Sequence, residues 1–231
     1  MTQQLTGTKI VYDFGANNGD NIPYYLLRFD KVVAVEANQE LAKQISERFS
    51  DHVISGRVTV ENCIVSDAPG FLNFYLHKTN NVLSQLPKPK DIENFTEIQI
   101  ESKTPSSIIK KHGDPEYIKI DVEHTDSKIL KNLFANNIFP KYISAESHDI
   151  LIFSLLVSSE KYSFYKILDG QSIHDVYKDK NINGKNYTFP FHSAGPMFED
   201  IESIELNSEE LFYELARQGL GWKDIHAKRC I

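Results

Sequence analysis

The sequence predicts an α/β fold with a doubly wound sheet, and three observations carry that expectation. Short β-branched runs recur as "KIVYD", "KVVAVE", "VTVENCIV", "EYIKIDVE" and "KYISAES", segments with helical periodicity separate them, and the first two runs each end in an acid. Strands that alternate with helices make parallel sheets covered on both faces. Such sheets bind ligands at the carboxyl ends of their strands, near the point where strand order reverses.

The elements follow in order. Ile22, Tyr25, Leu26 and Phe29 fall at i, i+3, i+4 and i+7, with Pro23 acceptable in the first turn, and Leu41, Ile45 and Phe49 form a second stripe. Around residues 104 to 112 the punctuation is complete: Thr104 can cap, Pro105 suits the first helical position, Gly113 can end the helix and Pro115 blocks its continuation. A further helix is expected from Asp126 to Ala135, burying Ile129, Leu130, Leu133 and Phe134. "FLNFYL" and "TEIQIES" read as accessory strands and "YSFYKILDG" as a late one. A terminal helix from Ser208 to Gln218 should stop at Gly219. The polar segment 77–95 is long enough to act as a lid, and 170–205 is rich in turn residues.

Composition sets bounds on function. A chain of 231 residues with 41% hydrophobic content can bury one substantial core, and residues 1–231 are expected to form a single domain. No apolar run reaches the roughly 18 residues of a membrane span. "MTQQLTGTKI" lacks the pattern of a secretory leader, so a cytoplasmic protein is expected. Cys63 and Cys230 give neither metal spacing nor a disulfide framework. A formal charge of −7 disfavours long nucleic acid as a partner.

The segment "KIVYDFGANNGDNIPYYLLRFDKVVAVEAN", residues 9–38, is the most informative. A nicotinamide or flavin site would read GxGxxG, but Asn17 stands where the second glycine belongs, and the pattern is DxGxxxG. Asp13, at the end of the first strand, repels a pyrophosphate and suits an ammonium or sulfonium group. Glu36, at the end of the second, can accept both hydroxyl protons of a ribose. A cationic amino-acid nucleoside fits both acids, and S-adenosylmethionine is such a molecule.

In "VYDFGANNGDN", "VVAVEAN", "NCIVSDAPGFLNFYL", "YIKIDVEHTDSKIL" and "YISAESH" the chain resembles class I S-adenosylmethionine-dependent methyltransferases, and in detail the FkbM family, from residue 9 to about 148. The resemblance implies a Rossmann-like, mostly parallel seven-stranded sheet. It also implies O-methylation of a hydroxyl on a sugar, glycan or secondary metabolite. Carried over by motif, Asp13, Gly15, Ala16, Asn17 and Gly19 would line the methionine portion of the cofactor, Glu36 its ribose, and Asn62, Cys63, Ser66 and Asp67 its adenine. One departure stands out. The family's fourth block usually reads DVEG, and His124 takes the place of that glycine.

Methylation of an alcohol needs an aligned acceptor and a group that removes its proton. Candidates are Asp121, Glu123 and His124 after "YIKI", and Glu146 and His148 in "YISAESH". If these runs remain extended, Asp121 with Glu123, and Glu146 with His148, share a face and point toward the cleft. The cluster reads either as a base with orienting carboxylates or as a Mg²⁺ site through Asp121 and Glu146. His192, in a glycine-proline loop, is a further candidate for closing an acceptor pocket. Trp222 is expected to pack the C-terminus in preference to stacking on a sugar, and Tyr24, Tyr25 and Phe29 to line core and pocket in preference to stacking on bases. The expected partner is a small-molecule or glycan acceptor. Alternatives are a non-catalytic module that keeps the cofactor fold and a nicotinamide oxidoreductase, which the absent second glycine disfavours.

Overall fold

The computed structural model describes residues 7–191 and 193–230. The first half alternates strands and helices: β1 (Ile10–Phe14), α1 (Ile22–Arg28), β2 (Lys31–Glu36), α2 (Gln39–Arg48), the short α3 (Ser50–Ile54) and β3 (Val58–Asn62). Next come β4 (Ile64–Val65), β5 (Gly70–His77), β6 (Phe95–Lys103), α4 (Pro105–His112), β7 (Tyr117–Ile120), α5 (Asp126–Ala135) and β8 (Tyr142–Glu146). The remainder is α6 (Ile150–Ser158), β9 (Tyr162–Asp169), α7 (Ile173–Val176), the hairpin β10 (Lys180–Ile182) and β11 (Lys185–Tyr187), α8 (Ser208–Gln218) and β12 (Lys223–Arg229).

The main sheet has seven strands in the order β3-β2-β1-β7-β8-β12-β9. Pairings from β3 through β8 are parallel, and β12 runs antiparallel to both β8 and β9. The chain winds outward from β1 to β3 and then returns to the other side of β1. Strand order therefore reverses between β1 and β7, which leaves a crevice at their carboxyl ends. The expected mostly parallel, doubly wound sheet is present.

Alternating side chains feed two cores. Tyr12, Phe14, Ile118, Ile120, Ile143 and Ile225 pack with Ile108, Ile129, Leu133, Ile152 and Leu211 of α4, α5, α6 and α8. Val11, Val32, Ala34 and Tyr117 pack on the other face with Ile22, Tyr25 and Ile45 of α1 and α2, and with Phe189 and Phe198. The end signals hold: the Thr104 side chain accepts from Ser107 N–H, and Asn207 forms a capping box with Glu210 at the start of α8.

Three expectations change. "VTVENCIV" is two strands, because β4 leaves the main sheet and pairs with β6, which also pairs with β5. "EYIKIDVE" ends as a strand at Ile120, and Glu123 (φ +40°) and His124 (φ +68°) take left-handed backbone. Asp121 and Glu123 are therefore not alternate residues of a strand. Tyr24, Tyr25 and Phe29 are buried in the second core and are not among the residues that line the cavity at the strand ends.

Gly15 shows how tightly the turn after β1 is built. Its φ is +84°, and a Cβ there would sit 1.8 Å from the backbone oxygen of Asp121. Gly15→Ala is expected to destabilise the fold by roughly 2 to 4 kcal/mol through backbone strain and overpacking. Urea unfolding tests this, and an unchanged midpoint would show that the turn and Asp121 are not in contact.

Candidate functional site

A cavity of about 940 Å³ opens at the crevice between β1 and β7. Its walls come from the turn after β1, the ends of β2, β7 and β8, the segment 79–86, and residues 191, 193, 194 and 222. From the segment 77–95, residues 79–84 and 86 line the cavity, and among the described residues 170–205 reaches it through Phe191, Ser193 and Ala194. His192 lies outside the described residues.

At one end stands Glu36, buried yet part of the wall. Its carboxylate accepts backbone N–H groups from Asn17 (2.8 Å) and Asn38 (2.7 Å). Burial nevertheless pushes its pKa up to about 7, against the pull of those two donors. Asn62 donates its side-chain N–H to the backbone oxygens of Glu36 and Ala37, so it braces this loop from behind.

Beneath the floor lies Asp13, fully buried and not itself a wall residue. Neither of its oxygens has a hydrogen-bond donor among the described residues, but Lys119 Nζ lies 3.3 Å from Oδ1, off the line of a hydrogen bond. The same ammonium is 3.1 Å from Asp121 Oδ2 and donates to the Gly15 carbonyl at 3.1 Å. Asp13 therefore supports the floor through Lys119 instead of lining the cavity.

The motif residues divide along the same line. Gly15, Ala16, Asn17, Glu36 and Cys63 line the cavity. Gly19 is enclosed by Ile22, Ile45 and Phe49, and Ser66 is buried against Ser102 Oγ at 2.8 Å. Gly19, Asn62, Ser66 and Asp67 are thus behind the wall or away from it. Burial pushes the Cys63 thiol up to about 12, so it acts as a small apolar lining group.

All five base candidates line the cavity: Asp121, Glu123, His124, Glu146 and His148. β7 and β8 are neighbours, and although His124 and His148 lie beyond the strands, their rings come within 6.1 Å. His148 Nε2 is 2.9 Å from Glu146 Oε2. Burial, then Asp121 and Asp224, push the Glu146 carboxyl up to about 9, and burial with Asp121 and Asp126 pushes Glu123 up to about 7. Burial and His124 hold the His148 imidazole below its usual range. Among the described residues no group of three or more His, Cys, Asp or Glu is arranged to hold a metal ion. Asp121 and Glu146 instead face Lys119 and His148.

Lys119 escaped the sequence reading. Lys119 is a lone basic residue inside an otherwise apolar strand, a signal visible in "YIKI". Trp222 was expected to pack the C-terminus, and it also forms part of the cavity wall.

A reversing parallel sheet, an acid from β2 facing the crevice and an antiparallel strand inserted beside the edge together define the Rossmann-like methyltransferase class. The methyltransferase FkbM domain matches residues 13–169, more than half of the chain. The chain belongs to the FkbM methyltransferase family. Among solved structures it is similar to methyltransferase FkbM from Methylobacillus flagellatus KT, at 19% identity and TM-score 0.48, covering 69% of this chain and 39% of that one. It is also similar to precorrin-6y C5,15-methyltransferase from Geobacter metallireducens GS-15, at 12% identity and TM-score 0.44, covering 96% and 80%. StiE O-MT residues 961–1257 is a third, at 11% identity and TM-score 0.41, covering 99% and 70%. The chain thus spans well under half the length of the Methylobacillus protein. No curated protein matches it. Among the described residues no helix is long and apolar enough to cross a membrane. The family uses S-adenosylmethionine in general.

The crowded acids set a pH dependence. Glu146 titrates near 4.5 when exposed and near 9 in the fold, so between these values the folded state binds the extra proton and stability falls as pH rises. Asp224, pushed up to about 8 by burial and Asp121, acts in the same sense. His148 and His226, both lowered from 6.5, oppose this only below that pH. The thermal midpoint is therefore expected to fall from about pH 7 to about pH 9, at on the order of 1 kcal/mol of unfolding free energy per pH unit. Glu146→Gln should flatten the slope. A midpoint that is level or rising in the unaltered protein would mean that Glu146 is ionised throughout.

Proposed function

We propose that the chain is an S-adenosylmethionine-dependent O-methyltransferase acting on a hydroxyl of a sugar, glycan or glycosylated metabolite. The observation that carries this reading is one cavity that joins Glu36 to the Glu146–His148 pair. β2 and β8 are three places apart in the sheet, roughly 14 Å, a span suited to an extended amino-acid nucleoside with an acceptor beyond it. The acceptor class rests on the family resemblance. On this reading residues 1–231 work as one methyltransferase domain, with 77–95 and 170–205 shaping the acceptor side. Free Cys63 and Cys230 accord with a cytoplasmic setting.

The chemistry of the wall fits the cofactor. Lys119 is the only Lys or Arg among the described wall residues, against Asp20, Glu36, Asp121, Glu123 and Glu146. Asp20 is paired with Arg48 at 2.7 Å and Glu146 keeps its proton at neutral pH, so the surplus of negative charge that suits a sulfonium and an ammonium comes from Asp121 with the partly ionised Glu36 and Glu123. Glu36 would hold the ribose hydroxyls with the lone pairs that Asn17 and Asn38 leave free. The turn at Gly15, Ala16 and Asn17 would bring backbone against the methionine portion, and Cys63 an apolar surface against the adenine. When bound, S-adenosylmethionine supplies an electrophilic methyl on a good leaving group.

His148 is the base in this reading. Its depressed pKa keeps it neutral at neutral pH, and with Nε2–H donated to Glu146 its Nδ1 is left to accept the hydroxyl proton. Asp121 favours the resulting imidazolium. Glu146 orients the ring.

Calorimetric titration with S-adenosylmethionine and S-adenosylhomocysteine, with NADH as control, tests the cofactor assignment. Glu36→Ala is expected to weaken both nucleosides by about 1 to 3 kcal/mol through lost charge-assisted hydrogen bonds. His148→Ala should leave that affinity intact while removing turnover of sugar acceptors. Undiminished turnover would reassign the base. Absence of nucleoside binding would make the glycine turn pure architecture and favour a non-catalytic module.

A further inference from the structure

The acceptor end of the cavity has an aromatic wall that nothing in the motif blocks accounts for. Trp222 and Phe191 both line it, at 37% and 61% exposure, alongside His124, His148 and Ser193. Both of these rings lie beyond residue 169, where the family match ends. The indole is set in place by backbone. Gly170 N–H donates to the Trp222 carbonyl at 3.1 Å, and on either side of Trp222, Gly221 N–H donates to Ser147 O at 3.3 Å and Ser147 N–H to Lys223 O at 2.7 Å. These bonds extend the pairing of β12 with β8 and bring Trp222 beside the point where His148 leaves β8. Gly170 also fixes the ring itself: a Cβ there would fall 2.4 Å from Trp222 Nε1.

We propose that Trp222, with Phe191, is the platform on which the acceptor's sugar ring lies, and that the acids beside it restrict the acceptor to uncharged or amino-bearing sugars. The proposal rests on the methyltransferase reading above. A pyranose has an apolar C–H face and a rim of hydroxyls, and this end of the cavity has the matching asymmetry. The indole offers a large, preordered apolar surface, while Glu146, His148, His124 and Ser193 offer polar atoms to the rim. A wholly apolar acceptor would leave those groups without partners. A phosphorylated or carboxylated sugar would meet the Asp121 carboxylate and the partly ionised Glu123, with Lys119 already engaged by Asp13 and Asp121. An amine would instead be attracted.

Trp222 is the only tryptophan of the chain, so its emission reports on this site alone. The protein is first saturated with S-adenosylhomocysteine, followed by calorimetry, and then titrated with methyl glycosides of glucose, galactose, mannose and rhamnose, with glucosamine, and with glucose 6-phosphate and glucuronate. A saturable emission change is expected with at least one uncharged or amino sugar, and affinity for the anionic sugars should be weaker by about tenfold or more. Gly170→Ala, which drives a methyl into the indole without altering any wall residue, should weaken sugar binding roughly tenfold while leaving S-adenosylhomocysteine affinity unchanged. Retained nucleoside binding with no response to any uncharged or amino sugar overturns the platform while sparing the cofactor reading. Equal affinity for anionic sugars, or sugar binding indifferent to Gly170→Ala, overturns it as well. Loss of nucleoside binding in the unaltered protein removes the reading beneath it.

Discussion

One buried cation holds the site together. Lys119 is 3% exposed in the middle of the sheet, and taking an ammonium out of water costs several kcal/mol unless its surroundings offset it. Here three oxygens do so: Asp13 Oδ1 from β1, the Gly15 carbonyl from the following turn, and Asp121 Oδ2 from just past β7. Burial works against the charge, but Asp121 and Asp13 outweigh it and hold the ammonium above its ordinary range. These oxygens sit on both sides of the point where strand order reverses. The crevice keeps its shape because one charge ties its two lips together. Without Lys119, Asp13 would be a buried carboxylate with no counter-charge, a costlier state than either residue paired.

Lys119 is also part of a larger pattern. Asp13, Lys119, Ser144, His226 and Lys166 are register partners on β1, β7, β8, β12 and β9, so a polar row crosses one face of the sheet. All five are buried. The opposite face at the neighbouring positions carries Phe14, Ile120, Ala145 and Ile225, an ordinary apolar layer. Water excluded from the polar row lowers the local dielectric, which strengthens every uncompensated charge at its carboxyl-end border. That is why Glu146 and Glu123 retain protons well above the usual carboxylate range. A site built this way is short of positive charge until a cation enters it.

How far the sequence foretold this depends on whether a feature is local. Helices α4 and α8 could be read to their ends because caps, proline and glycine act within one turn, and α5 from its apolar stripe of Ile129, Leu130 and Leu133. Glu36 was legible as a cavity acid because its place at the end of β2 follows from the strand run itself. Asp13 looked equivalent and is not, since only the pairing of β1 with β7 sets Lys119 beside it. The break at Ile120 was hidden for the same reason. "DVEH" has the alternation of a strand, yet Glu123 and His124 turn left-handed there, and His124 adopts the backbone that the family's glycine would take without strain. β12 was invisible because "KDIHAK" has too weak an apolar alternation to announce a strand, and it becomes one through two antiparallel neighbours.

The position of β12 explains how one fold can keep a cofactor end while changing an acceptor end. The strand must enter the sheet between β8 and β9, so the residue just before it arrives at the end of β8 whatever its side chain. That residue is Trp222, next to the Glu146–His148 pair. The cofactor end, by contrast, is built from the turn after β1, the end of β2 and the lysine of β7, all tied together by short backbone contacts such as Gly15 against Asp121. Changes at 191, 193, 194 or 222 meet none of those contacts. The acceptor wall is thus the part of the cavity that can vary without loosening the floor, and Asp121, ion-paired with Lys119 in the floor and favouring the protonated forms of Glu146, Glu123 and His148, couples the two ends.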